Sequence, residues 1–170
     1  LKFVVLGSTG VGKTQLALRF CKNNFSDKYI ATEGMEYSTK AFTINGLSVK
    51  AQIWNISGGT VPEKMTKAYF KRAVGAIFVY DSTNKNSFDD ITNVWMKQLR
   101  AYGNEEMKAI LIANKVDESA KSVVSREQGL ALASALGLPF AETSALSSLN
   151  VDLAFRHIVY SVSKSVTDLD

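Results

Sequence analysis

The eight residues Gly7 to Thr14, GSTGVGKT, constrain this chain more than any other feature. They follow an apolar run, Leu1 to Leu6, and precede Leu16, Ala17, Phe20 and Cys21, which recur at helical spacing. A strand that breaks into a glycine loop and then a helix lets successive backbone N–H groups turn inward around a polyphosphate, backed by the positive end of the helix. Gly7, Ser8, Thr9, Gly10, Val11 and Gly12 are expected to form this cradle. Lys13 would reach the β and γ phosphates, and Thr14 would place its hydroxyl on Mg²⁺.

The rest of the chain alternates strand and helix signals. Tyr37 to Ile44 and Leu47 to Trp54 flank Asn45-Gly46, a hairpin signal because both turn positions need positive φ. Gly75 to Tyr80, Ala109 to Ala113 and Phe140 to Glu142 read as buried strands separated by helical patterns, which implies parallel strands with crossover helices. One helix is expected over Ser87 to Tyr102, with Phe88, Ile91, Val94, Trp95 and Leu99 on its packed side. Another opens with the capping box SREQ, Ser125 to Gln128, and ends near Gly137; the last, Val151 to Val162, buries Phe155, Ile158 and Val159. Lys22 to Thr32 reads as a polar connection. The expected fold is a single α/β domain over 1–170, a doubly wound, mostly parallel six-stranded sheet with helices on both faces and an antiparallel hairpin at its edge. In such sheets ligands sit beyond the carboxyl ends of the strands.

A second motif stands at such an end. Asn114, Lys115, Val116 and Asp117 follow the strand Ala109 to Ala113, and an aspartate there can accept both N1–H and the exocyclic amine of guanine, a pairing adenine cannot make. Ser144 and Ala145, after the last strand, would offer a backbone N–H to the guanine oxygen, with Leu146 next to them.

Composition narrows the class. The net charge of +4 is spread over scattered lysines, which argues against a nucleic-acid surface. Cys21 is the only cysteine, so no internal disulfide forms and a reducing, cytoplasmic compartment is expected; the residue reads as a buried small hydrophobe. No apolar run approaches the roughly 20 residues of a membrane-spanning helix. The chain starts at Leu1 rather than methionine, which suggests a trimmed domain. His157, on the last helix and away from these motifs, reads as structural or surface.

GSTGVGKT, NKVD and TSA, in this order and spacing, resemble the Ras-like small GTPases over nearly the whole chain. ATEGMEY, AQIW, AYFKRAVGAIFVYDST and NVWMKQLR resemble the Rab branch, whose members regulate vesicle traffic. The resemblance implies a monomeric switch that binds GTP or GDP with Mg²⁺. Its partners would be effector, exchange-factor and GTPase-activating proteins. It also implies roles for individual residues: Phe25 stacking on guanine, Tyr29 covering the phosphates, and Thr32 binding Mg²⁺ and the γ phosphate. Tyr37, Trp54 and Tyr69 would form the aromatic triad that effectors touch, or else pack as sheet and core aromatics. Membrane attachment, on a cytosolic face, would depend on a lipidated tail outside this segment.

One loop departs from the family. Where its members carry Asp-x-x-Gly-Gln, this chain has Asn55, Ile56, Ser57, Gly58 and Gly59. Gly58 keeps the backbone N–H that would meet the γ phosphate, although a register slipped by one would give that place to Gly59. Asn55 can hold a water but adds no negative charge near Mg²⁺. Gly59 has no side chain to orient an attacking water. Glu33, after Thr32, and Thr60-Val61-Pro62 depart as well. Two readings follow: a switch with slow hydrolysis that depends on a partner, and a GTPase-fold binding or scaffold module that stays in one state. A P-loop kinase or ATPase is disfavoured because NKVD selects guanine.

Overall fold

The central strands are apolar on both faces, and the chain covers both. The computed structural model describes residues 1–21, 29–32, 35–44, 46–56, 63–147 and 149–167, with backbone alone for 29–32 and 165–167. In chain order the elements begin β1 (Lys2–Leu6), α1 (Lys13–Cys21), β2 (Tyr29–Thr32), β3 (Met35–Ile44), β4 (Leu47–Ile56) and α2 (Glu63–Phe70). They continue with β5 (Ala73–Asp81), α3 (Lys85–Asp90), α4 (Met96–Tyr102), β6 (Lys108–Asn114), α5 (Arg126–Leu136), β7 (Phe140–Glu142) and α6 (Val151–Thr167).

The sheet order is β2-β3-β4-β1-β5-β6-β7. β4, β1, β5, β6 and β7 run parallel, while β3 is antiparallel to both β2 and β4. The doubly wound fold is as expected and all six expected strands are present. The seventh, β2, lies at the sheet edge inside the segment read as a connection; it pairs with β3 from Tyr29 opposite Tyr37. Its signal is short and polar-flanked, and backbone pairing at the sheet edge makes it a strand.

Side-chain alternation explains the layers. Phe3, Val5, Ile77, Val79, Ile110 and Ile112 face one core with α1 and α6. Val4, Leu6, Phe78, Tyr80 and Leu111 face the other, beneath the remaining helices. Parallel strands buried on both sides require such apolar runs. The hairpin closes between Ile44 and Leu47, with Gly46 at φ +79°; Asn45 lies outside the described residues.

Two helices differ from expectation. The sequence reading gave no helix over α2, although Met65 and Tyr69, and Thr66 and Phe70, recur at helical spacing. The expected helix over Ser87 to Tyr102 is interrupted by a π-helical turn, Ile91–Trp95, between α3 and α4. A wider turn rotates the face that follows, so Ile91 is buried whereas Val94 is 42% exposed. The capping box at Ser125 and Gln128 is present, and Gly137 ends α5 in the left-handed conformation, as read. Among the described residues no helix is long and apolar enough to cross a membrane.

Candidate nucleotide site

The loop between β1 and α1 is built by close approach. Gly10 and Gly12 take φ values of +87° and +101°, which suit glycine. A Cβ on Gly7 would collide with the Val79 carbonyl, and one on Gly12 with the Asn114 amide. Lys13 donates to the carbonyls of Gly7 (2.5 Å) and Ser8 (3.1 Å), and burial lowers its pKa to about 8. Thr9 and Gly10 are exposed at the loop crest, whereas Val11 is buried beneath it.

The strand exit after β6 braces this loop. Asn114 is 1% exposed; its Nδ2 donates to the Val11 carbonyl (2.9 Å), and its Oδ1 accepts from Thr143 Oγ1 (3.0 Å). Lys115, at φ +61°, donates to the Gly10 carbonyl (2.9 Å) and pairs with Asp81 at 3.0 Å. Burial pushes the Asp81 carboxyl up, but hydrogen bonds from Thr83 and Lys115 and the charge of Lys115 outweigh it and hold the pKa below its usual value. Asp117 stays exposed beyond these anchors. The Ser144 N–H is engaged by the Leu149 carbonyl (3.2 Å), so the amide this turn offers is that of Ala145. Arg19 Nε holds the Ala145 carbonyl at 2.8 Å and thereby ties the turn to α1. The loop after β1 and the turns after β6 and β7 are thus one hydrogen-bonded unit.

The metal end is arranged differently. Asn55, 3% exposed, donates from Nδ2 to Thr14 Oγ1 at 2.6 Å and lies 3.4 Å from Glu36 Oε1. Its Oδ1 is buried without a hydrogen-bond partner among the described residues. Such an oxygen costs about 1–3 kcal/mol unless something meets it.

The Ras family model matches residues 2–164. The chain is 40% identical over 167 residues to Ras-related protein Rab-26 of Rattus norvegicus, covering 98% of this chain and 65% of that protein. It is 40% identical over 157 residues to Ras-related protein Rab-13 of Bos taurus, covering 92% and 77% respectively. It is 39% identical over 161 residues to Ras-related protein RGP2 of Oryza sativa subsp. japonica, covering 95% and 74%. The chain belongs to the Ras family. It carries the GTP-binding switch fold through which Rab proteins regulate vesicle traffic, and it spans just under two thirds of the Rab-26 relative.

Within this Ras-family site, Tyr37 and Trp54 are directly opposite across β3 and β4, half-buried and stacked at 4.6 Å. Lys2 Nζ lies 4.1 Å over the Trp54 ring and donates to the Ala68 and Lys71 carbonyls at the end of α2. Tyr69 is 1% exposed and packs as a core aromatic, the second of the two expectations for it. Its hydroxyl accepts from the Val5 N–H (3.1 Å) and reaches the carbonyls of Val5 (2.6 Å) and Trp54 (2.7 Å), plugging the fork where β1 and β4 diverge. Phe25, Gly58 and Gly59 lie outside the described residues, as do the side chains of Tyr29 and Thr32. His157 is exposed on α6 and Cys21 is buried, as read.

The sequence reading missed several contributors. Asp81 ends a buried strand on the ligand side of the sheet, a position where an acid could have been picked out. Ser8 donates to Asp90 Oδ2 (2.7 Å) and accepts from Trp95 Nε1 (3.3 Å), a link that depends on the π-helical turn and has no local signal.

Proposed function

We propose that this chain is a Rab-type switch that binds GTP and GDP with Mg²⁺ and hydrolyses GTP slowly unless a partner assists. The observation that carries the reading is the Asn114 and Lys115 bracing: it joins the phosphate cradle to the exposed Asp117, the group suited to guanine. Lys13 and the N–H groups of the loop would bind the polyphosphate, and the Ala145 amide would meet the guanine oxygen. Phe25, Tyr29, Thr32 and Gly58 would close over the nucleotide, as the family resemblance implies. The unit extends over 1–170.

The residues at the metal end fit Mg²⁺. Thr14 supplies a hydroxyl oxygen, a hard donor of the kind Mg²⁺ prefers, whereas Asn55 turns its NH2 toward that hydroxyl and leaves its own carboxamide oxygen buried without a partner. Thr14 and Thr32 would hold the ion, which when bound neutralises charge on the β and γ oxygens. Asn55 brings no negative charge and Gly59 no water-orienting side chain, which supports slow hydrolysis.

The face bearing Tyr37 and Trp54 would receive effectors, and exchange and GTPase-activating proteins would engage the 25–34 and 55–67 segments. Localisation would be cytoplasmic, with peripheral attachment to a cytosolic membrane face through a lipidated tail outside this segment. A second reading, a scaffold held in one state, is favoured by the direct Asn55 to Thr14 contact.

Single-turnover GTP hydrolysis, followed over hours beside a Gly59→Gln variant, separates the two. Retained GTP in the parent, with hydrolysis faster by about tenfold or more in the variant, supports the slow switch. Rapid hydrolysis by the parent overturns the account of Gly59. Retained GTP in both supports the scaffold.

A further inference from the structure

The π-helical turn brings two side chains to one residue of the glycine loop. Ser8 Oγ donates to Asp90 Oδ2 at 2.7 Å, and Trp95 Nε1 donates to Ser8 Oγ at 3.3 Å. In an ordinary α-helix, positions five apart point about 140° away from each other. Here the Met96 N–H closes on the Ile91 carbonyl, an i→i+5 bond, so Asp90 and Trp95 come to the same side. The elements that carry this pair are pinned to the core. Ser87 Oγ donates to the Asn84 carbonyl (2.7 Å) and accepts from the Asp81 N–H (2.9 Å), which ties the start of α3 to the end of β5. Ile91 is fully buried and anchors the turn itself.

Ser8 is also held through its backbone: its carbonyl and that of Gly7 accept from Lys13 Nζ, the group expected to reach the phosphates. We propose that Asp90 and Trp95 are positioning residues for the phosphate cradle, holding Ser8 so that α3 and the π-helical turn set how long nucleotide is retained. The inference rests on the polyphosphate-binding reading above and deepens it. A cradle binds best when its N–H groups are held in place before the anion arrives. Gly7, Gly10 and Gly12 give the loop little stiffness of its own, so the stiffness has to come from its neighbours. Asn114 and Lys115 fasten the loop on the β6 side, and Ser8 fastens it on the α3 side. Asp90 acts through its hydrogen bond and not through its charge, because a carboxylate beside a polyphosphate repels it. An uncharged acceptor at 90 therefore serves as well.

The test is the release of N-methylanthraniloyl-GDP from the chain, chased with excess GDP in Mg²⁺ and in EDTA, beside a thermal melt of each variant. Ser8→Ala and Asp90→Ala are each expected to speed release about 2- to 30-fold. The factor is the same with and without Mg²⁺, since the loop and not the metal is loosened. The double variant releases no faster than the quicker single one, because the two residues share one bond. Asp90→Asn keeps an oxygen acceptor and is expected to hold nucleotide at least as long as the parent. Trp95→Phe keeps the packing, loses the donor and speeds release about 2- to 10-fold. Release unchanged in both alanine variants overturns the inference, and so do factors that multiply in the double variant. Asp90→Asn releasing as fast as Asp90→Ala overturns it, as does a lowered Tm without faster release, the signature of a structural contact. If Asp90→Ala does not fold, Ser8→Ala and Trp95→Phe, which leave α3 intact, decide by the same criteria. A parent that retains no nucleotide in Mg²⁺ removes the guanine-nucleotide reading and this inference with it; a parent that retains it no longer than the alanine variants removes the inference alone.

Discussion

The proposed guanine end and the proposed metal end of this site are built to different standards. At the guanine end the Asn114 side chain is hydrogen-bonded at both polar atoms, and Lys115 reaches both the phosphate loop and a buried acid. At the metal end Asn55 makes its contacts through one atom and leaves the other orphaned. Gripping a nucleotide and responding to its γ phosphate are therefore physically separable. On the proposed reading the first depends on the Asn114 and Lys115 network, and the second on a few atoms beside Thr14.

The largest expected effect breaks the guanine end directly. Asp117→Ala removes the acceptor for guanine but none of the bonds that brace the loops, so preference for guanine over adenine nucleotides should fall by a factor on the order of 10⁴ in a competition assay. Retained preference would mean that other groups read the base.

A pair of truncations sharpens the contrast in stability. Asn114→Ala leaves the Thr143 hydroxyl and the Val11 carbonyl without this partner, and its cost of about 2–3 kcal/mol should lower Tm by roughly 5–10 °C in a thermal melt. Asn55→Ala deletes an orphaned oxygen together with its one short bond, so its change should stay within about 1 kcal/mol. Equal losses at the two positions would erase the distinction.

The smallest effect is in pH. On the proposed reading polyphosphate binds the protonated form of Lys13, whose pKa burial lowers to about 8. Nucleotide affinity should be level below that pH and fall above it, by at most about tenfold per pH unit until the pKa of the bound state is reached. Lys13→Arg, charged throughout, should flatten that fall in a titration of bound nucleotide against pH.

Much of the site was readable because its chemistry is contiguous. GSTGVGKT and NKVD each place their groups within a few residues at the end of an apolar strand, so spacing alone predicted the cradle, and the structure holds both at the carboxyl edge of the sheet. The π-helical turn was not readable. Phe88, Ile91, Val94 and Trp95 fit an ordinary helix, and one inserted residue per turn leaves no compositional mark. Tyr69 was ambiguous for a related reason, since an aromatic with a hydroxyl suits both a surface and a polar fork inside a core.

From residues alone follow the doubly wound fold, the glycine loop after β1, the NKVD exit after β6 and the absence of an acid and a glutamine after Trp54. These rest on local periodicity and on side chains acting where they stand in the chain. Tertiary structure decided that Tyr69 closes the β1 and β4 fork and that Ser8 meets Asp90 and Trp95. It also decided that Glu36 faces Asn55. Each joins residues distant in sequence, and strand register and helix phase set which distant side chains meet.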